Sequence, residues 1–385
     1  MPIISLASNI AGINVECCIY NASGPRTGSI EALSKIGSSR SGVILSKSAT
    51  LVQQNGNDLP RFVNKIDLGK GTCQGSMNSE GLPNLGIDYY ISDEALSALK
   101  KHNKPYIVSI SGLSVEDNLA MLSKIMTKEE VDAIELNLAC PNIPGKPIIA
   151  YDFEQMDKVL CLICNHKDFN KKPVGVKLPP YFDGPYFEQA ASIIAKYPVK
   201  YVVCINTIGN ALLIDYENET TLISPKEGYG GLGGGYVKPT ALANVNTMFK
   251  LLNKKDRSDI DVVGVGGISS GRDAFEMILC GAKAVQIGTC HWTEGSECFE
   301  RIAKELEQIM ISKGYSSIEE FRGKLKPYSK DIVKKKNSLP TKNISGDTVS
   351  KDNNSNIYLI LHLMVAILMV SVTYCIKNNY APFAF

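Results

Sequence analysis

The sequence predicts an α/β fold, a (β/α)8 barrel of the TIM type, and three observations support this prediction. Short apolar, β-branched runs alternate with amphipathic stretches up to about residue 312, as in βα units around a parallel sheet. Eight such runs occur, which suits a closed barrel better than an open sheet. Polar residues follow directly on the runs, where a barrel collects its chemistry. The predicted strands are residues 19–23, 43–49, 106–111, 133–140, 174–178, 201–206, 262–266 and 284–288.

The connections between the runs have the apolar spacing of helices, for example over residues 114–126 and 271–279. We assign residues 1–329 to the barrel. Residues 330–356 are rich in Lys, Asn, Ser, Thr and Asp, which predicts a flexible polar linker. Residues 357–376 carry no formal charge and are long enough to cross a bilayer as a single transmembrane helix, with a short tail at 377–385. A core helix or a non-functional extension is the alternative.

Composition excludes some classes of function. The net charge of +2 provides no basic stripe, so we expect no nucleic-acid partner. The 11 cysteines have no regular spacing, and neither a signal peptide nor an Arg-rich transit peptide opens the chain, so reduced thiols in the cytoplasm are expected. Cys161 and Cys164 form a CxxC pair within a helical pattern. No second pair completes a zinc site, so we expect helix packing and no metal.

Cys140 is the candidate catalytic residue. It ends an apolar run and lies between Asn137 and Asn142, whose amides can hold a planar ring by hydrogen bonds while the thiol removes a proton from it. The alternative is a buried cysteine at a strand end with asparagines in a turn.

Glycine-rich segments after the last two runs predict a phosphate site. Gly266-Gly267 and Gly288-Thr289 follow strands 7 and 8, whose loops commonly bind phosphate in barrels; ordinary tight turns are the alternative. Lys177 ends an apolar run, where a buried ammonium needs an anion such as a reduced flavin. Lys47 also needs an anionic partner if it is buried, either a substrate carboxylate or the flavin. The alternative for both Lys47 and Lys177 is a side chain that reaches water.

The chain resembles the dihydroorotate dehydrogenases, FMN-dependent enzymes of pyrimidine synthesis, and within them the soluble, fumarate-using class 1A. Cysteine at position 140 indicates this class, because quinone-linked relatives place a serine there. The resemblance extends from about residue 10 to 326. The motifs that carry it are Asn21-Ala22-Ser23-Gly24, Ser46-Lys47-Ser48, Asn78 with Gly81-Leu82-Pro83-Asn84, Asn137 to Asn142, Val176-Lys177-Leu178-Pro179-Pro180, Asn206-Thr207-Ile208-Gly209-Asn210 and Lys238-Pro239-Thr240-Ala241-Leu242-Ala243-Asn244.

The resemblance implies that Cys140 takes the C5 proton of dihydroorotate while hydride passes from C6 to the flavin, after which fumarate is reduced to succinate. It also implies a homodimer. The expected substrate-binding residues are Lys47, Asn78, Gly81, Leu82, Asn137, Asn142, Asn206 and Thr207. The expected FMN-binding residues are Ala22, Ser23, Gly24, Lys47, Ser48, Asn137, Lys177, Gly231, Gly266, Gly267, Gly288 and Thr289.

Three residues depart from the family pattern. Ala139 replaces a serine before the cysteine, and Thr207 replaces a serine after Asn206. Glu80 stands where methionine is usual, and a carboxylate facing an anionic substrate would repel it by several kcal/mol at low dielectric. We therefore expect Glu80 to point outward, so that its backbone N–H alone contacts substrate, or else to reduce activity.

The membrane helix is a further departure, and it predicts a catalytic domain anchored by its tail and facing the cytoplasm. Two other functions remain open from the sequence. The chain could be an NAD-linked class 1B catalytic subunit, which needs a partner chain. It could also be a catalytically impaired, membrane-tethered FMN-binding protein.

Overall fold

Eight parallel strands form a barrel in the computed structural model of the chain, which describes residues 4–66, 75–140 and 147–329. The strands are β1 Ile19–Asn21, β2 Ile44–Leu45, β3 Tyr106–Ile110, β4 Ala133–Asn137, β5 Val174–Leu178, β6 Tyr201–Cys204, β7 Asp261–Val265 and β8 Ala284–Ile287. They pair in the order β1-β8-β7-β6-β5-β4-β3-β2. Each predicted run contains or overlaps one of these strands, so the predicted (β/α)8 barrel is confirmed.

Helices follow the strands and cover the barrel. They are α1 Ile30–Gly37, α2 Ile87–Tyr90, α3 Asp93–Lys100, α4 Val115–Ile125, α5 Phe153–Cys164, α6 Gly184–Ala195, α7 Lys238–Lys254, α8 Gly271–Leu279, α9 Thr289–Glu294 and α10 Glu297–Lys313. A Ser or Asp precedes α1, α3, α4, α5, α6 and α8, and its side chain accepts the N–H of the third helical residue. These caps satisfy a backbone donor that the helix itself leaves unpaired.

The barrel closes between β1 and β2 through the side chain of Asn21. Its Nδ2 donates to the carbonyl oxygen of Leu45 at 2.7 Å, and its Oδ1 accepts the Leu45 N–H at 3.0 Å. The N–H of Gly42 donates to the carbonyl of Ile19 at 2.9 Å. A Cβ on Gly42 would lie 1.8 Å from the carbonyl oxygen of Cys17, so this approach requires glycine.

A second sheet, here called the cap sheet, lies at the carboxyl end of the barrel. It consists of the antiparallel strands Phe62–Ile66, Gly75–Asn78, Ile208–Leu212 and Tyr229–Gly234. Two of them follow β2 and two follow β6, so insertions from distant parts of the chain meet there. Asn78 pairs with Gly231, and Ser76 pairs with Gly233. The cap sheet has its own small core of Ile66, Met77 and Ile223.

The described residues contain no helix long and apolar enough to cross a membrane. The predicted linker (330–356), membrane helix (357–376) and tail (377–385) lie outside the described residues, as does Asn142. Every cysteine within the described ranges is a free thiol, and no cluster there could hold a metal ion. The CxxC pair, Cys161 and Cys164, lies on α5 as the helical pattern predicted.

Candidate active site

A cavity of about 690 Å³ opens at the carboxyl end of the barrel, and residues of the cap sheet form part of its wall. Residues from at least six barrel strands or the loops after them line it. The predicted site residues among the lining are Ala22, Ser23, Gly24, Lys47, Ser48, Asn78, Gly81, Leu82, Asn137, Cys140, Lys177, Asn206, Thr207, Gly266, Gly267, Gly288 and Thr289. The fold therefore brings together side chains that lie far apart in the sequence.

Cys140 lies just beyond β4, in a loop whose backbone is held by two asparagines. Oδ1 of Asn137 accepts the N–H of Ala139 at 3.0 Å, and Nδ2 of Asn206 donates to the carbonyl of Ala139 at 2.5 Å. These bonds fix the residue directly before the thiol.

A chain of hydroxyl groups connects the loop after β1 to Asn137. The hydroxyls of Ser23 and Ser48 lie 3.1 Å apart, and those of Ser48 and Ser109 lie 2.8 Å apart. Nδ2 of Asn137 donates to Ser48 Oγ at 3.3 Å. Because each group restrains the next, the polar floor of the cavity is preorganised before a ligand binds.

Lys47 and Lys177 both line the cavity and are almost completely buried, at 8% and 4% exposed. Burial lowers the pKa of each ammonium group. Nearby acidic groups, when ionised, act in the opposite direction on these pKa values: Glu80 at Lys47, Glu135 at Lys177, and Cys140 at both. Neither lysine extends into water, so the alternative interpretation, a lysine at a strand end that reaches solvent, is wrong for both. Cys140 and the two ammonium groups share one electrostatic environment.

Glu135 lies in the barrel interior and was not identified from the sequence. It is fully buried, and its Oε2 accepts a hydrogen bond from Nε2 of Gln286 at 2.7 Å. Burial raises the pKa of this carboxyl, although Lys177 and Gln286 act against the shift. Strand alternation could have revealed it, because Glu135 and Asn137 are two residues apart on β4 and therefore share a face.

The loops after β7 and β8 form the other end of the cavity. Gly266 and Gly267 adopt φ values of +131° and +72°, which side chains disfavour. A Cβ on Gly267 would lie 2.9 Å from the carbonyl oxygen of Gly234. Lys238 also lines this end and forms an ion pair with Asp273. The backbone is therefore exposed to the cavity where the glycines permit close approach, as a phosphate site requires.

Gly231 is not among the residues that line the cavity, and its role in binding FMN stays a prediction. It lies in the cap sheet, where its carbonyl accepts a hydrogen bond from Nδ2 of Asn78 at 3.4 Å. A Cβ on Gly231 would lie 2.2 Å from Oγ1 of Thr207. The glycine thus makes room for the threonine that departs from the family pattern. Gly233 and Gly234 of the same strand do reach the cavity wall.

Glu80 does not point outward. It lines the cavity, and its side chain is only 13% exposed. One carboxylate oxygen lies 4.0 Å from Nζ of Lys47 and the other 4.0 Å from Nε of Arg61. The expectation that Glu80 points outward is therefore wrong. Its carboxylate lies between two cations.

Aromatic and cationic side chains at the rim were also not identified from the sequence. The rings of Phe62 and Trp292 lie 4.5 Å apart, and the guanidinium of Arg26 lies 5.3 Å from the centre of the Trp292 ring. All three residues line the cavity. They come from three separate segments, and no local pattern connects those segments.

Comparison with known proteins agrees with this geometry. A family model described as dihydroorotate dehydrogenase matches residues 5–310. A dihydroorotate dehydrogenase (fumarate) from Kluyveromyces lactis is 46% identical over 327 residues, covering 84% of this chain and 99% of that protein. A dihydroorotate dehydrogenase A (fumarate) from Lactococcus lactis subsp. cremoris is 48% identical over 308 residues, covering 80% and 94%. The chain belongs to the dihydroorotate dehydrogenase family.

Proposed function

We propose that this chain is an oxidoreductase that converts dihydroorotate to orotate in pyrimidine synthesis, with FMN as cofactor and fumarate as electron acceptor. The observation that carries the proposal is the single cavity in which Cys140, Lys47, Lys177 and the amides of Asn137 and Asn206 meet. The names of the relatives, which specify fumarate, support the acceptor.

The cavity fits a flavin mononucleotide in size and in the order of its chemical groups. A volume of about 690 Å³ lies within the range of cofactor pockets. The glycines after β7 and β8 would hold the phosphate, and Lys177 would lie near the ring, where its charge favours the reduced, anionic form. When bound, FMN would supply the two-electron redox chemistry that couples oxidation of dihydroorotate to reduction of fumarate.

The residues of the chain itself would bind the substrate and move its proton. The amides of Asn78, Asn137, Asn142 and Asn206 offer both donors and acceptors, which the imide of a pyrimidine requires. Lys47 would pair with the substrate carboxylate. Cys140 would take the C5 proton as general base, since a thiolate there lies in the field of two ammonium groups.

Anaerobic spectroscopy of the purified chain tests the proposal. Dihydroorotate is expected to bleach the flavin absorbance, and fumarate alone is expected to restore it without any added subunit. Absence of bleaching, or turnover only with NAD and a partner chain, would overturn the proposal in favour of the other functions considered above.

Replacement of Cys140 by alanine tests the role of the thiol. The bound flavin should remain, while its rate of reduction by dihydroorotate should fall by about 10²–10⁴-fold, as for loss of a general base. Cys161→Ala is the matched control, because Cys161 lies on α5 outside the cavity. Equal reduction rates in the Cys140 variant and the wild type would exclude this thiol as the base.

We also propose that the catalytic domain faces the cytoplasm as a homodimer, attached to a membrane through residues 357–376. The absence of formal charge from that segment supports the attachment. The full-length chain should sediment with membranes, and a chain truncated after residue 353 should remain active in the soluble fraction. Recovery of the full-length chain in the soluble fraction would contradict the attachment, and light scattering of the truncated chain measures its oligomeric state.

A further inference from the structure

Glu80 places a carboxylate at the same ammonium group that the proposed function assigns to the substrate. Its Oε2 lies 4.0 Å from Nζ of Lys47, inside the cavity that also contains Cys140. The nearly buried pair is poorly screened, because Lys47 and Glu80 have side chains only 10% and 13% exposed. A second anion that approaches Lys47 therefore meets a charge that is already there.

A second cation gives the Glu80 carboxylate another place to bind. Its Oε1 lies 4.0 Å from Nε of Arg61. The guanidinium is fixed, since its Nη1 donates to the carbonyls of Asn55 and Asn57 at 2.7 and 2.8 Å. The Glu80 carboxylate can thus release Lys47 and keep one ion pair.

The backbone around Glu80 is held in place while its side chain has this choice. The N–H of Asn57 donates to the carbonyl of Glu80 at 2.8 Å, and Asn57 Nδ2 donates to the carbonyl of Ser79 at 2.8 Å. Gly81 follows with φ of +69°, and a Cβ there would lie 2.3 Å from Oδ1 of Asn57. The Glu80 carboxylate therefore moves between Lys47 and Arg61 by rotation of the Glu80 side chain, without movement of the loop.

We propose that Glu80 is a specificity-determining residue that competes with carboxylate ligands for Lys47. The proposal rests on the proposed function, because it takes Lys47 as the partner of the substrate carboxylate. A carboxylate ligand must displace Glu80 from Lys47 toward Arg61, whereas a neutral ligand of the same ring shape need not. The site therefore binds anionic ligands more weakly than it would with a neutral residue at position 80.

Equilibrium titration of the holoenzyme, followed by the flavin absorbance, tests this competition with two ligands. Orotate carries the carboxylate, and uracil has the same ring without it. Glu80→Gln and Glu80→Met should each bind orotate about tenfold more tightly than the wild type, which corresponds to about 1.4 kcal/mol. Uracil affinity should change by less than about twofold. Retained flavin identifies a folded variant, and the methionine variant replaces the glutamine variant if the latter does not fold.

Glu94→Gln is the matched control, since it removes the same charge from the exposed surface of α3 and should leave orotate affinity unchanged. Unchanged or weaker orotate binding in both Glu80 variants would overturn the proposal, as would equal tightening of uracil. Failure of the proposed function is a different result: wild-type flavin would then not be bleached by dihydroorotate at all.

Discussion

One side chain, that of Asn21, bridges the barrel seam between β1 and β2 beside a backbone hydrogen bond, and replacing Asn21 by alanine tests its contribution. Asn21 is fully buried and is hydrogen bonded to both the N–H and the carbonyl of Leu45, at 3.0 and 2.7 Å. The variant leaves these two buried backbone groups without that partner. Each orphaned group costs about 1–3 kcal/mol, so the free energy of unfolding should fall by about 2–6 kcal/mol.

Urea unfolding measures this loss. With a slope of about 3 kcal/mol per M, the midpoint should fall by about 0.7–2 M while the slope stays the same. Asn14→Ala is the matched control, because it makes the same change where the side chain forms only an exposed bond with Asn9. Its midpoint should change by less than about 0.2 M.

The same variant should also weaken flavin binding, because Ala22, Ser23 and Gly24 follow Asn21 directly and line the cavity. Equal midpoints for the Asn21 and Asn14 variants would refute the reasoning. The seam would then be held by the backbone bond between Gly42 and Ile19 and by packing, and not by the carboxamide.

Three other outcomes follow from the structure. Burial lowers the pKa of Lys47, so its ammonium group should lose its proton at a lower pH than an exposed lysine does. Orotate affinity should therefore decline as pH rises through that range. Lys47→Met should remove this pH dependence in the same titration. Gly42→Ala should destabilise the barrel by about 1–3 kcal/mol or more in urea, because its Cβ would lie 1.8 Å from a carbonyl oxygen, whereas Gly184→Ala, with open space around it, should not. Burial lowers the pKa of His291 from 6.5 to about 4, so the folded chain favours the neutral imidazole. The stability that comes from this preference is complete above pH 6.5 and is lost as pH falls toward 4. This loss amounts to about 3 kcal/mol, and unfolding of His291→Gln at pH 4.5 and 7 should show a smaller pH dependence than the wild type.

Much of the fold could be predicted because its signals are local. Ser114 precedes an amphipathic stretch, and the structure has a capped helix there, at Val115–Ile125. The run at 174–178 is apolar except for Lys177, and it forms β5 with the same bounds. In each case the period of the side chains, or a single cap, is enough to determine the element.

The positions of the candidate site residues were also partly predictable. Parallel strands of a barrel end at the same rim, so Cys140, Lys177 and Asn206 could be expected near one another from the sequence alone. Gly231 could not be placed in this way. It lies in an insertion, on a cap-sheet strand whose pairing with Gly75–Asn78 only the folded chain shows.

The sequence by itself determined the eight βα units and the set of polar groups at their carboxyl ends, because strand and helix periods act over a few residues. Only the tertiary structure decided that Glu80 faces Lys47 and Arg61, that Phe62 and Trp292 meet at the rim, and that the Asn21 side chain closes the barrel. These contacts join insertions and strands from distant parts of the chain. Their geometry depends on how whole elements pack together, which no local pattern encodes.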